Sequence, residues 1–167
     1  MDFRGVVRGL ARGASVRDAQ AVIRAQHGRA ASRWLAAEAG VSTRTARRWL
    51  SAHPPGSRAP RILAAAQSAS VAGLAAQRLR GAAAEGGGIA VGVVAVSYDD
   101  DDQGDRDIGW LEINDAMARD LQASADALDA GNLAGAADAF SDAVIGGYGT
   151  GLQDTLSVSD YSDGVEL

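Results

Sequence analysis

Apolar residues recur at helical spacing through the first 80 residues of this 167-residue chain, and turn-forming residues divide the pattern. Residues 3–27 carry one broken apolar stripe, which predicts one or two helices. Residues 59–80 open near Pro60 and are rich in Ala and Leu, which predicts a further helix. The N-terminal half of the chain is therefore expected to be helical throughout.

Between these segments lie two short helical patterns separated by a glycine. Residues 30–39 predict a helix that Gly40 ends, because glycine readily adopts the left-handed conformation that closes helices. Ser42 is placed to cap a following helix over residues 43–51, because its hydroxyl can accept a hydrogen bond from a free backbone amide. The His-Pro-Pro-Gly sequence at 53–56 then stops that helix.

The second half of the chain changes from Ala-rich helical patterns to β-branched runs. Residues 81–88 predict a glycine-rich linker or a tight turn, and residues 89–98 predict a buried strand. Residues 99–107 predict a charged loop. Residues 108–113 predict a second strand, which would pair with the first as a hairpin across that loop.

Two helices and a short strand are predicted after the hairpin. Asn114 is placed to cap a helix that runs to about residue 130, and residues 133–145 predict another helix. Residues 146–151 predict a loop, and one short strand is expected at 155–161.

The fold class expected from these elements is α+β, in two domains. Residues 1–85 would form an all-helical domain with a helix-turn-helix at 32–51, and residues 86–167 a small domain with a β-hairpin and two helices.

Charge sharpens this division. Residues 1–80 carry 14 Arg and three acidic residues, a net charge of +11, whereas residues 81–167 carry two Arg and 18 acidic residues, a net charge of −16. The basic half favours a polyanionic partner, and the asymmetry gives the net −5 of the whole chain. All 16 cations are Arg, which binds guanine edges and phosphates in a forked geometry.

Other classes of function find little support in the sequence. The chain has no Cys, no leader-like segment and no apolar run that could span a membrane, so we expect a soluble, cytoplasmic protein. The Asp run at 99–102 loosely resembles a calcium loop, but its eighth position is Arg106 and its twelfth is Trp110. We expect no metal, no cofactor and no catalytic centre.

The segment around Gly40 has the features of a helix-turn-helix. Such a motif needs a small residue in its first helix, a glycine in the turn and apolar residues that lock the two helices together. Ala36 is the small residue and Gly40 the turn. The locking residues are Leu35, Val41, Ala46 and Trp49, with Leu50 beside them.

The second helix of this motif carries arginines on one face. Arg44, Arg47 and Arg48 share that face by their spacing, and in a major groove they can pair with guanine O6 and N7. An ordinary helical hairpin with a solvated Arg face is the alternative, but the coinciding motif features and the +11 charge favour DNA binding. The predicted DNA-binding residues are Ser42, Thr43, Arg44, Thr45, Arg47, Arg48 and, beside them, Arg33.

The order of parts resembles the telomere terminal proteins of linear Streptomyces replicons, the Tpg type. The matching pieces are AAEAGVSTRTARRWL, GGGIAVGVVAVSY, DRDIGWLEI, NDAMARDLQASADALDAGNLAGAADAFSDAVIGGYG and LSVSDYSDGVEL. The resemblance covers most of the chain from about residue 30. It implies a nucleoid-associated protein that becomes covalently attached to the 5′ ends of linear DNA. There it primes synthesis from a side-chain hydroxyl, with a telomere-associated protein and a DNA polymerase as partners.

Within that resemblance, Tyr98 and Ser97 are the candidate nucleotide acceptors, because the Asp run between the two predicted strands contains no Thr. Two other hypotheses stay open. One is a helix-turn-helix regulator of a plasmid or phage whose acidic domain forms a homodimer or senses a signal. The other is an acidic module that masks its own basic domain.

Overall fold

The computed structural model describes residues 2–51, 54, 56–98, 102–148, 156–161 and 165–166. For residues 92–98, 102–108, 156–161 and 165–166 it describes the backbone alone. It confirms a broadly α+β layout. Along the chain, helices precede the first strand of an antiparallel sheet, and further helices lie between its second and third strands. The helices are α1 (Phe3–Arg12), α2 (Val16–His27), α3 (Ala31–Ala39), α4 (Thr43–Ser51), α5 (Ala59–Ala69), α6 (Val71–Glu85), α7 (Asp115–Asp129) and α8 (Leu133–Tyr148). The strands are β1 (Gly88–Tyr98), β2 (Asp102–Glu112), β3 (Leu156–Tyr161) and β4 (Val165–Glu166).

Local capping explains where several helices begin. Ser15 and Asp18 form a reciprocal capping box at the start of α2, with hydrogen bonds of 3.2 and 2.7 Å. Asn114 caps α7 as predicted, since its side chain accepts from the amides of Ala116 and Met117. These polar residues satisfy amides that the first helical turn leaves free, and so they set the helix boundaries.

The single helix predicted over residues 59–80 is wrong in two respects. Ser70 adopts an extended conformation that separates α5 from α6, and its hydroxyl accepts from the amide of Gly73 at 2.8 Å. Helix α6 then continues to Glu85, so the predicted linker at 81–88 shrinks to Gly86 and Gly87, which precede β1. Packing explains the extension, because α6 lies against both α1 and α7 and this burial outweighs the weak helix propensity of glycine.

Strand β1 lies at the centre of the sheet. It pairs with β2 on one side, in a register that runs from Gly88 opposite Glu112 to Tyr98 opposite Asp102. On the other side it pairs with β3 and, farther toward its start, with β4. All of these pairings are antiparallel.

This register corrects the predicted hairpin. Residues 102–107 belong to β2 rather than to a charged loop, because each of these residues pairs with a residue of β1. The strand predicted at 155–161 is present as β3. The predicted loop at 146–151 is wrong in its first part, since α8 extends to Tyr148; the rest of it, like residues 99–101, lies outside the described residues.

Two hydrophobic cores hold these elements together. The helical core joins α2, α3, α4 and α5. The sheet core joins the start of β1 and the end of β2 to α7 and α8. Helices α1 and α6 contribute to both: Val6 and Leu79 lie in the sheet core, and Ala11 and Leu74 lie in the helical core. Residues from the basic half of the chain therefore share one core with residues from the acidic half.

Candidate nucleic-acid interface

The turn between α3 and α4 is built around Gly40. Its φ of 62° and ψ of 42° are left-handed, a conformation that strains residues with a β-carbon. The amide of Val41 donates to the carbonyl of Ala36 at 3.0 Å, and that of Gly40 to Ala37 at 3.4 Å. These two bonds form a Schellman closure, which uses the last carbonyls of α3 and turns the chain toward α4.

Ser42 caps α4 as predicted. The amide of Thr45 donates to the Ser42 hydroxyl oxygen at 3.2 Å, and the two hydroxyls lie 2.9 Å apart. Thr45 is half-buried and engaged with Ser42, whereas Thr43 is exposed. Among the hydroxyl residues predicted to contact DNA, Ser42 and Thr43 are exposed, and Thr45 is not.

One face of α4 is anchored in the helical core. Leu35 of α3 and Ala46 of α4 have no exposed surface, and Trp49 and Leu50 are buried beside them. The side-chain amide of Gln20 donates to the carbonyl of Trp49, which ties the end of α4 to α2. The apolar residues predicted to lock α3 and α4 therefore do pack in one cluster, with Val41 half-buried at its edge.

The opposite face of α4 carries the three predicted arginines. Arg44, Arg47 and Arg48 are all exposed, and within the described part of the chain no carboxylate lies in salt-bridge range of them. Arg33, on the exposed side of α3, is likewise unpaired by any described acidic residue. This face therefore offers uncompensated positive charge on a rigid, well-packed helix.

An aromatic stack near α3 was missed by sequence reasoning. The rings of His27 and Trp34 lie parallel, with centroids 4.0 Å apart and an interplanar angle of 15°. His27 is half-buried. The pairing spans a change of direction at residues 28–30, so helical periodicity alone could not predict it.

The candidate nucleotide acceptors lie at the end of the central strand. The backbone of Ser97 pairs with Gln103 in β2, and that of Tyr98 with Asp102. On the other side, Tyr98 pairs with Leu156 of β3. Their side chains, and residues 99–101 of the Asp run, lie outside the described residues.

Arg80 of α6 differs sharply from the arginines of α4. Its guanidinium lies 2.8 Å from a carboxylate oxygen of Asp126 and 2.8 Å from one of Asp129, both on α7. The hydrogen bond from Arg80 lowers the pKa of Asp126, although burial acts in the opposite direction. Burial alone would lower the pKa of Arg80, but its bonds to the two carboxylates outweigh this and raise it.

Comparison with protein-family models, with curated proteins and with solved structures found no match to this chain. Among the described residues, no group of three or more His, Asp or Glu side chains is arranged to hold a metal ion. None of the helices in the described part of the chain combines the length and apolar character needed to cross a membrane.

Proposed function

We propose that this chain is a DNA-binding protein in which α3 and α4 act as a helix-turn-helix and α4 enters the major groove of duplex DNA. The observation that carries the proposal is that α4 has one buried apolar face and one exposed basic face. Trp49 and Leu50 anchor one face in the core, and the other face presents three exposed arginines without a described acidic partner.

The chemistry of that face suits DNA. Guanidinium groups form paired hydrogen bonds with guanine O6 and N7, and also bind phosphates. Thr43 and Ser42, at the N-terminus of α4, would contact a backbone phosphate, since that end of a helix favours negative charge. Arg33 on α3 would contact the phosphates beside the groove.

Variants that remove equal charge from different helices test this proposal. Changing Arg44, Arg47 and Arg48 together to Ala should weaken binding to a selected duplex on the order of 100-fold and abolish sequence preference. The matched control changes Arg4, Arg8 and Arg12 to Ala, because these are also three exposed arginines on one helix, α1. Equal losses in both variants would mean that bulk charge, rather than α4, binds the duplex.

We further propose, from the resemblance to terminal proteins, that the protein is attached to the 5′ ends of linear DNA and primes end synthesis. Tyr98 is the first candidate acceptor and Ser97 the second. The hydroxyl oxygen would bond to the α-phosphorus of a deoxynucleoside triphosphate, the bond from that phosphorus to the bridging oxygen would break to release pyrophosphate, and solvent would take the hydroxyl proton. A partner polymerase would supply the metal ions, because an unassisted hydroxyl is a poor nucleophile.

Covalent labelling separates this function from regulation of transcription. Incubation with a host extract and a labelled deoxynucleotide should label the wild-type protein, and the Tyr98→Phe, Ser97→Ala double variant should lose the label. Label that persists in the double variant would rule out both residues. An unlabelled wild-type protein that still binds a specific duplex would favour the regulator.

A further inference from the structure

A cavity of about 400 Å³ lies between α2, the end of α4 and the start of α5. Small-molecule sites in proteins range from about 300 to 1,000 Å³, so a compact ligand would fit. One face of α2 forms one wall, and the last residues of α4 and the segment before α5 form the others. We call it the α2–α4 cavity. Its chemistry comes from Val16, Arg17, Arg24, Leu50, Ser51 and Pro54.

A hydrogen bond joins the two main walls of the α2–α4 cavity. The side-chain amide of Gln20, which also belongs to the lining, donates to the carbonyl of Trp49. Residues of α2 and α4 also share the helical core, where Trp49 and Leu50 are buried. Because both walls belong to one packed core, the cavity is a fixed part of the fold. A ligand would therefore need little rearrangement of the protein to enter it.

Apolar side chains supply one part of the lining. Val16 and Pro54 are half-buried, and Leu50 is buried. An apolar group placed against them would be removed from water, which favours binding. A phosphate of the DNA backbone, which is polar on every side, would leave this part of the lining uncovered. The apolar lining therefore favours an organic ligand over the duplex itself.

Arginines supply the other part of the lining. Arg17 and Arg24 are exposed and lie seven residues apart, which places them on one side of α2, about 10 Å apart along its axis. No described carboxylate lies in salt-bridge range of either guanidinium. The described lining contains no acidic residue, and residues 43–61, which supply the walls facing α2, contain none in their sequence. The cavity therefore carries uncompensated positive charge.

Acidic residues lie near Arg17 in a neighbouring cavity. Arg17 also lines that cavity, together with Asp18 and Glu85. The Asp18 carboxylate accepts from the amide of Ser15 at 2.7 Å, and Glu85 is exposed. In the described part of the chain neither carboxylate forms a salt bridge with Arg17. Arg24 does not line the neighbouring cavity, so an anion in the α2–α4 cavity would meet least competition at Arg24.

We propose that the α2–α4 cavity binds a small organic anion, whose carboxylate or phosphate group is bound by Arg17 and Arg24 and whose apolar body packs against the apolar part of the lining. A guanidinium donates two parallel hydrogen bonds to either acidic group, and such charge-assisted bonds are about twice as strong as neutral ones. This site goes beyond the proposed binding of DNA. It uses none of the α4 arginines, so either proposal can fail while the other stands.

Benzoate and benzamide test the need for charge in the full-length protein, because the two molecules have nearly the same shape. In an NMR titration, millimolar benzoate should shift the guanidinium N–H signals of Arg17 and Arg24 and the backbone amide signal of Ser51. Benzamide should bind about tenfold more weakly, since it lacks the charge. Phenyl phosphate should bind about tenfold more tightly than inorganic phosphate, because only the former covers the apolar lining.

Substitution of one arginine locates the site. Arg24→Met keeps a long apolar side chain and removes the charge, so it should weaken benzoate binding about tenfold and leave benzamide binding unchanged. Arg8→Met is the matched control, because Arg8 is exposed on α1 and does not line the cavity. The variant with Arg44, Arg47 and Arg48 changed to Ala should bind benzoate as the wild type does, which separates this site from the DNA-binding face.

Several results would overturn the proposal. Equal binding of benzoate and benzamide would mean that the cavity accepts apolar molecules regardless of charge. Unchanged benzoate binding in an Arg24→Met protein that melts like the wild type would place the anion elsewhere. Failure of both benzoate and phenyl phosphate to bind would also contradict it. If Arg24→Met then weakened duplex binding more than Arg8→Met does, Arg24 would belong to the DNA interface instead.

Discussion

Helices α4 and α6 both carry arginines, but their surroundings give those arginines different roles. Arg80 of α6 packs against the acidic helix α7, where two carboxylates bind it at 2.8 Å. Arg47 of α4, like its two neighbours on that face, is exposed and forms no salt bridge with a described carboxylate. The +11 charge of the first 80 residues therefore does not act as a unit. Part of it stabilises the fold, and part is free to bind an external anion.

The buried face of α4 gives the largest expected effect on stability. Trp49→Ala should lower the free energy of unfolding by about 3–5 kcal/mol, because it leaves a large cavity in the helical core. Trp110→Ala is the control, since that indole is mostly exposed and its loss should change stability by about 0.5 kcal/mol or less. Chemical denaturation measures both. Similar losses in the two variants would mean that α4 is not anchored as described.

Alanine substitutions at two glycines should have opposite effects on stability, because one glycine lies in the turn before α4 and the other lies inside the continuous helix α6. Gly40→Ala should destabilise the fold by about 1 kcal/mol, because residue 40 has a left-handed conformation that alanine adopts only under strain. Gly81→Ala should stabilise it by about 0.5–1 kcal/mol, since residue 81 lies inside α6 and an added β-carbon meets nothing within 4 Å. Thermal melts of the two variants should therefore shift in opposite directions. A destabilising Gly81→Ala would contradict the continuity of α6.

The ion pairs of Arg80 give the smallest effect. Arg80→Met should cost about 1 kcal/mol or less, because the pairs are partly exposed to solvent, whereas Arg47→Met should change stability hardly at all. The variant should also alter the response to acid. Arg80 lowers the pKa of Asp126, so the folded state favours the ionised carboxylate. This stabilisation is present above about pH 4 and is lost as the pH falls through the lowered pKa.

Asp120 has the opposite influence on how stability changes with pH, and its contribution must be separated from that of Asp126. Burial, followed by the nearby charge of Asp142, raises the pKa of Asp120, so the folded state favours its protonated form. That contribution is present below the ordinary pKa of the group and is lost as the pH rises through the raised value. In an Asp120→Asn background, the loss of stability on acidification should therefore be steeper, and Arg80→Met should flatten it. A curve that Arg80→Met leaves unchanged would show that the pair does not contribute.

Sequence patterns predicted the elements that local signals define. Gly40 and Ser42 set the end of α3 and the start of α4, and Asn114 sets the start of α7, because each acts through hydrogen bonds to residues nearby in the chain. The exposed arginine face of α4 followed from spacing in the same way. These features need no knowledge of the rest of the fold.

Elements that depend on distant partners were predicted less well. Residues 102–107 look like a charged loop, but pairing with β1 makes them part of a strand. Gly81 looks like a linker residue, but packing of α6 against α1 and α7 keeps it helical. The exposed indole of Trp110 was not predicted, because its position depends on Trp110 of β2 lying over Gly88 of β1. Long-range packing, which single-sequence patterns do not encode, decides all three.

The salt dependence of duplex binding tests the role of α4 most directly. Each arginine–phosphate contact releases counterions and adds about 0.9 to the slope of log K against log salt concentration. The variant with Arg44, Arg47 and Arg48 changed to Ala should therefore show a slope smaller by about 2.7 than the wild type if all three contact phosphates, and the variant with Arg4, Arg8 and Arg12 changed to Ala should keep a slope within about 0.5 of it. A triple α4 variant with the wild-type slope would contradict the account, since its arginines would then lie outside the DNA interface.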